Sequence, residues 1–258
     1  QKNPQLLSSS YVPSYTAGLT FFIAVAATNL FHQGNWQRVY AAKDYKTLKE
    51  SLLVSFFIII PIVFLMGFSG LVAVSQNETV IPDLAFFSLI LKENGIILSI
   101  IIIILAISLT VSSIDTLINA ISSLIIVDGN KIFKVKKDYL IFSKQILIIL
   151  SIITFLVASK GLSILYLFLL ADLLCCAAVF SVFYGFYNKK FSEKKAYKSI
   201  LFGLIIGLLF FPSPDFSKSI LVGIILPIDF LPTFVSQSLL FCSFVVATFL
   251  PILTWKLK

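Results

Sequence analysis

The chain has 258 residues, of which 59% are hydrophobic and only 12% charged, with a mean hydropathy of +1.02. Soluble domains run nearer 45–50% apolar and about 25% charged, so a soluble core of this size is excluded. The net charge of +8 comes from basic residues in short stretches between apolar runs. That is the pattern of a topogenic signal, not of a nucleic-acid-binding face.

The spans are taken in chain order. Residues 1–14 form a leader without an initiator Met or an apolar signal core, and they read as internal to a longer protein. Seven segments read as transmembrane helices: about 15–35, 51–75, 96–127, 139–159, 163–188, 199–212 and 234–255. Between the second and third lies an external loop, 76–95, with a short half-buried helix expected at Leu84–Leu91. Its Asn77-Glu78-Thr79 is a glycosylation triplet by pattern only. Tyr166, Tyr184 and Tyr187 mark the ends of the fifth span as interfacial anchors. The sixth span is short, and the following stretch 216–232 with Pro227 and Pro232 reads as re-entrant. Cys175, Cys176 and Cys242 all lie in apolar runs, which fits neither a disulfide framework nor a zinc site.

Alternating the loops across a bilayer places 16 of the 20 basic residues on one side. They are Arg38, Lys43, Lys46 and Lys49, then Lys131, Lys134, Lys136, Lys137 and Lys144, then Lys189, Lys190, Lys194, Lys195 and Lys198, and finally Lys256 and Lys258. That side is the expected cytoplasmic face of a plasma or inner membrane, with the leader outside and the C-terminus inside.

The third span carries the chemistry. Its first half is almost pure Ile and Leu, whereas its second half sets Ser108, Ser112, Asp115, Thr116, Asn119, Ser122 and Ser123 on one helical stripe, with Ser113 at its edge. Small polar residues also pack helices closely, but a carboxylate deep in a bilayer costs at least ~2.5–3.5 kcal/mol. No Lys or Arg lies mid-span to neutralise Asp115, so a proton, a bound cation or a group outside the chain must do so. Hydroxyl, carbonyl and carboxylate oxygens are the ligands a hard cation such as Na⁺ takes. Asp172, in the fifth span, is a second intramembrane carboxylate, free to stay neutral and hydrogen-bond a neighbouring helix or to act in transport. The end of the first span, Asn-Leu-Phe-His-Gln-Gly, puts Asn29, His32 and Gln33 on one predicted helical face, a candidate solute path, before Gly34 weakens the helix. His32 reads equally as a neutral ring bonded to a carbonyl, Trp36 as an interfacial ring and Arg38 as a topogenic charge.

Two stretches together resemble the sodium:solute symporter family, whose members carry sugars, proline, pantothenate and urea. Gln33-Gly34-Asn35-Trp36-Gln37-Arg38 followed by Ala41-Ala42-Lys43 is similar to the end of the family's sixth core helix. Ser112-Ser113-Ile114-Asp115-Thr116, with Asn119 and Ser122-Ser123, is similar to its eighth, usually Ser-Thr-Ala-Asp-Ser. The resemblance covers essentially the whole chain and implies an all-α membrane protein containing the second inverted repeat of a LeuT-like symporter fold. Residues 15–188 would be that five-helix repeat and 189–258 two trailing helices. It also implies a Na⁺ site at Ser112 and Ser113 with the Leu109 carbonyl, and a second cation position at Asp115 and Thr116. Leu109 stands where the family has a smaller residue, which matters little if only its carbonyl is used. Ion and solute would bind between the two repeats, so the missing first repeat, helices one to five, is an expected partner in the same or another chain.

The function expected is therefore sodium-coupled secondary transport of a small polar solute, with the chain a partial symporter that does not transport alone. Two alternatives stand beside it. One is proton coupling through Asp115 or Asp172; the other is a non-transporting fragment or accessory subunit. One histidine and no metal-spaced cluster argue against a membrane enzyme, and nothing resembles a selectivity-filter ring.

Overall fold

A computed structural model describes residues 8, 10–76, 81–91, 95–129, 139–188, 191–222, 225–227 and 232–254. Among these, ten α-helices and no strands are found: α1 (Val12–Phe31), α2 (Gln33–Ala41), α3 (Tyr45–Gln76), α4 (Ala85–Leu91), α5 (Ile96–Val127), α6 (Tyr139–Ala158), α7 (Ile164–Tyr187), α8 (Glu193–Phe210), α9 (Thr233–Gln237) and α10 (Leu239–Thr254). Five of them, α1, α3, α5, α6 and α7, are long and apolar enough to cross a membrane. With 32 residues each, α3 and α5 exceed the ~20 residues a span needs. The chain is an all-helical membrane protein.

The third, fourth and fifth expected spans coincide with α5, α6 and α7 to within a residue or two. The other four differ. The first ends four residues early, at Phe31, where His32 turns to extended backbone and Gln33 opens a new helix. The second begins at Tyr45 rather than 51, because the Asp44 carboxylate accepts the Thr47 N–H at 2.7 Å and starts the helix among charged residues. The seventh is broken at Ser238 into α9 and α10, leaving 16 residues in the apolar piece. The sixth overlaps α8, which starts six residues earlier behind the N-cap Ser192 and ends at Phe210, two residues short of the expected end. The expected short helix of the external loop is α4, led in by a 3-10 turn, Pro82–Leu84. The triplet at 77–79, the lysines of 131–137, and Lys189, Lys190, Lys256 and Lys258 lie outside the described residues.

Two compact units can be separated, one of residues 1–32 with 162–258 and one of 33–161. In the first, α1, α7, α8 and α10 pack on one another. Their core is Leu169, Leu173, Cys176 and Ala177 of α7, Phe244 and Ala247 of α10, and Ala24 and Ala27 of α1. Small residues set the closest approach. Gly203 and Gly207 of α8 meet α10, where an added Cβ at Gly203 would come within 2.7 Å of the Pro251 ring, the small-xxx-small arrangement by which membrane helices pack. The Ser243 hydroxyl crosses the same seam and donates to the Gly207 carbonyl at 2.8 Å.

Between α8 and α9, the described part of the stretch expected to be re-entrant consists of turns. Pro212 and Ser219 bridge antiparallel, and Phe216 sits in the left-handed region at φ 58°. The Tyr166 ring packs on Phe211 and Phe216 at 5.5 and 6.0 Å. Asp215 closes this turn by accepting from the hydroxyls of Ser213 and Ser217 and from the Ser217 N–H. Those bonds hold its carboxyl down at about 2, from an ordinary 3.8. A depressed carboxyl stabilises the folded turn above the unfolded pKa and loses that contribution as pH falls through the folded value. Protection of the Ser217 amide, corrected for intrinsic exchange, is therefore expected to hold at pH 4 and fall by pH 2. Equal protection at both would remove Asp215 as the closure.

In the second unit α3 packs on α4, α5 on α6, and α2 on α5. Its core is thin. Ala73, Ala85 and Ala120 are buried, yet none of the apolar windows of α3 and α5 is. Such faces are compatible only with lipid or with further protein.

Candidate functional site

α5 is unbroken from Ile96 to Val127, so the spacing read from the sequence survives as geometry. The Ser113 hydroxyl donates to the Leu109 carbonyl at 2.9 Å and the Thr116 hydroxyl to the Ser112 carbonyl at 3.0 Å. Asn119 Nδ2 reaches Asp115 Oδ2 at 3.3 Å. Each hydroxyl proton is thus engaged by a carbonyl one turn back, and the lone pairs of Ser113 and Thr116 remain as acceptors. A line of acceptors ending in a carboxylate is chemically suited to a hard cation, not to an anion. Leu109, Ser112, Ser113 and Asp115 are exposed and Thr116 is half-buried.

One turn further, the Ser123 hydroxyl donates to the Ala120 carbonyl at 2.8 Å and accepts from Gln37 Nε2 of α2 at 3.1 Å. This bond ties together two stretches that carry the family resemblance. Gln37 was not among the sequence candidates, although it stands between Trp36 and Arg38 in the first of them. Trp36 and Tyr40 lie beside each other on the same short helix, ring centroids 6.4 Å apart.

Asn29, His32 and Gln33 do not form one helical face. Asn29 is on α1, where Nδ2 donates to the Val25 carbonyl at 2.8 Å; His32 ends the helix, and Gln33 begins α2. The break comes two residues before Gly34, which is itself buried inside α2. His32 Nδ1 is buried with no hydrogen-bond partner among the described residues, so the carbonyl bond expected of a neutral ring is not made by that nitrogen.

The inward face of α1 is instead a threonine line that sequence reasoning missed. Thr16, Thr20 and Thr28 are spaced by multiples of four, which was the available signal. Thr28 donates to Asp172 Oδ1 of α7 at 2.5 Å, and Asp172 is 8% exposed. At the other end, Thr20 donates to the Thr16 carbonyl at 2.7 Å and Ser238 bonds Thr16 at 3.3 Å. Thr16, Thr20, Phe216, Ser236, Gln237 and Ser238 line a cavity of about 190 Å³.

No protein-family model matches the chain, and no solved structure matches it. Among curated proteins it is similar to the spermidine transporter DUR31 of Candida albicans, 27% identical over 196 residues. The match covers 74% of this chain and 37% of the relative, so the chain spans little more than a third of that protein's length. A membrane protein with five membrane-length apolar helices among its described residues is thus similar, along 74% of its sequence, to a transporter.

Proposed function

We propose that the chain is the cation-site portion of a secondary transporter, in which Na⁺ binds at Ser112, Ser113 and the Leu109 carbonyl and drives uptake of a small polar solute. The observation that supports this reading is the line of hydroxyl, carbonyl and carboxyl oxygens on α5, a polar stripe on an otherwise Ile- and Leu-covered membrane helix. Asp115 and Thr116 supply a second cation position one turn on. In this reading the exposed stripe is covered by the first inverted repeat of the symporter fold. The name of the relative extends the solute class to polyamines, whose ammonium groups suit sites built from acceptors. Asn29 and His32, at the end of α1, then contribute to the solute path.

The test is uptake of labelled spermidine by cells making the full-length protein, with Na⁺ replaced stepwise by choline. Ser113→Ala should raise the Na⁺ concentration for half-maximal uptake roughly three- to tenfold, the scale of one lost oxygen ligand. Membrane insertion should be unchanged. A sodium dependence equal to the native one removes Ser113 from the site.

A second reading rests on a different observation. Asp172 is almost wholly buried between α7 and α1, with the Thr28 hydroxyl as its bonded neighbour. Proton coupling through that carboxyl predicts uptake that follows a pH gradient in the absence of Na⁺.

A further inference from the structure

A groove on the first unit has a chemistry that the transport reading leaves unused. It occupies about 530 Å³ along α8, with Lys195 and Lys198 at one end, Leu201, Phe202 and Ile205 along its length, and Thr254 of α10 at its side. Lys195, Lys198, Phe202 and Ile205 follow one another at intervals of three, four and three, which keeps them on one face of the helix. Phe202 is 47% and Ile205 53% exposed, and both lysines are exposed. Neither lysine is in an ion pair among the described residues. The face thus changes from cationic to apolar within three turns, in the direction in which a phospholipid changes from phosphate to acyl chain.

We propose that this groove holds an anionic phospholipid, with its phosphate between Lys195 and Lys198 and an acyl chain along Phe202 and Ile205. Charge complementarity supports the choice of occupant. Residues 189–198 hold five lysines against one acid, Glu193, and Lys256 and Lys258 follow Thr254 in sequence. Such a cluster beside a membrane helix attracts the anionic lipids of the facing leaflet. A soluble phosphate would use the lysines but leave Phe202 and Ile205 without a role. A zwitterionic lipid would use the apolar wall but gain little from the lysines. The proposal does not depend on what the protein transports.

The measurement is native mass spectrometry of the full chain released from non-ionic detergent, after mixing with equal amounts of phosphatidylserine and phosphatidylcholine of identical acyl chains. Each lysine at an anionic lipid is worth a factor of about five, so phosphatidylserine should be retained roughly 25-fold over phosphatidylcholine. Lys195→Gln with Lys198→Gln should bring the ratio close to one. Lys43→Gln with Lys46→Gln, an equal charge change on the other unit, should leave it high. Phe202→Ser with Ile205→Ser should lower retention of phosphatidylserine itself. Helix content by circular dichroism and a single gel-filtration peak establish that each variant is folded before it is compared. Equal retention in the native chain would overturn the proposal. So would an unchanged ratio in the Lys195/Lys198 variant, an equal loss in the Lys43/Lys46 variant, or full displacement of the lipid by millimolar glycerol 3-phosphate.

Discussion

Under the proposed sodium coupling, Asp115→Ala, made in the full-length protein, is expected to lower uptake by tenfold or more while leaving the amount of protein in the membrane unchanged. Asp115 is the one carboxyl group on the acceptor line of α5, and bonds to a charged partner such as Na⁺ are worth about 1.5–3 kcal/mol, or roughly 10- to 150-fold. Asn119, its bonded neighbour four residues on, is a weaker ligand and restores little. The comparison that gives this result meaning is Asp172→Asn. Under sodium coupling that change spares the Na⁺ response, because the Asp172–Thr28 bond joins two helices and involves no residue of α5. Under proton coupling the order reverses: Asp172→Asn abolishes pH-driven uptake and Asp115→Ala spares it. If neither variant alters ion dependence, both carboxylates are structural and the coupling site lies in protein outside this chain.

The second large effect is on folding. Gly203→Ala should destabilise the first unit by about 1–3 kcal/mol, the usual cost of overpacking. The added methyl would stand 2.7 Å from Pro251 Cγ and 3.0 Å from the Ala247 carbonyl oxygen. Gly207→Ala should act similarly but more weakly, since its Cβ would meet the Ala247 methyl at 2.9 Å and Leu173 Cδ1 at 3.4 Å. Helix propensity alone favours alanine over glycine by up to ~1 kcal/mol, so the sign of the change separates packing from propensity. Pairing Gly203→Ala with Pro251→Ala removes the ring that the new methyl strikes, and the double variant should recover most of the loss. Thermal unfolding in detergent reads all of these. A Gly203→Ala protein as stable as the native one would mean that α8 and α10 do not pack at this seam.

The long apolar helices were legible because length and composition suffice for them. α5 begins and ends where its Ile- and Leu-rich run meets Gly95 and Asp128, and its polar stripe follows from the period alone. The ends of other helices were decided by groups that a hydropathy pattern does not weigh. Asp44 starts α3 among charged residues by accepting one N–H. Ser238, in the polar triplet Ser236-Gln237-Ser238, breaks the expected seventh span without a glycine or proline, and its hydroxyl bonds Thr16, 222 residues away. His32 ends α1 two residues before Gly34.

The candidate cation line lies on one helix, so its residues were found from sequence. Thr28 with Asp172, and Ser243 with the Gly207 carbonyl, required the fold, because each joins residues on different helices and neither partner advertises the other. By itself, then, the sequence determined that this is a helical membrane protein, which stretches are apolar enough to span, and where oxygen ligands recur at the helical period. These properties belong to single segments in a low-dielectric solvent, where every backbone group must be satisfied internally. Which helices touch and which carboxylate is bonded by a threonine were decided only by the tertiary structure. Lipid tails are as apolar as leucine, so hydrophobicity does not choose helix partners; close-fitting small residues and a few hydroxyl bonds do.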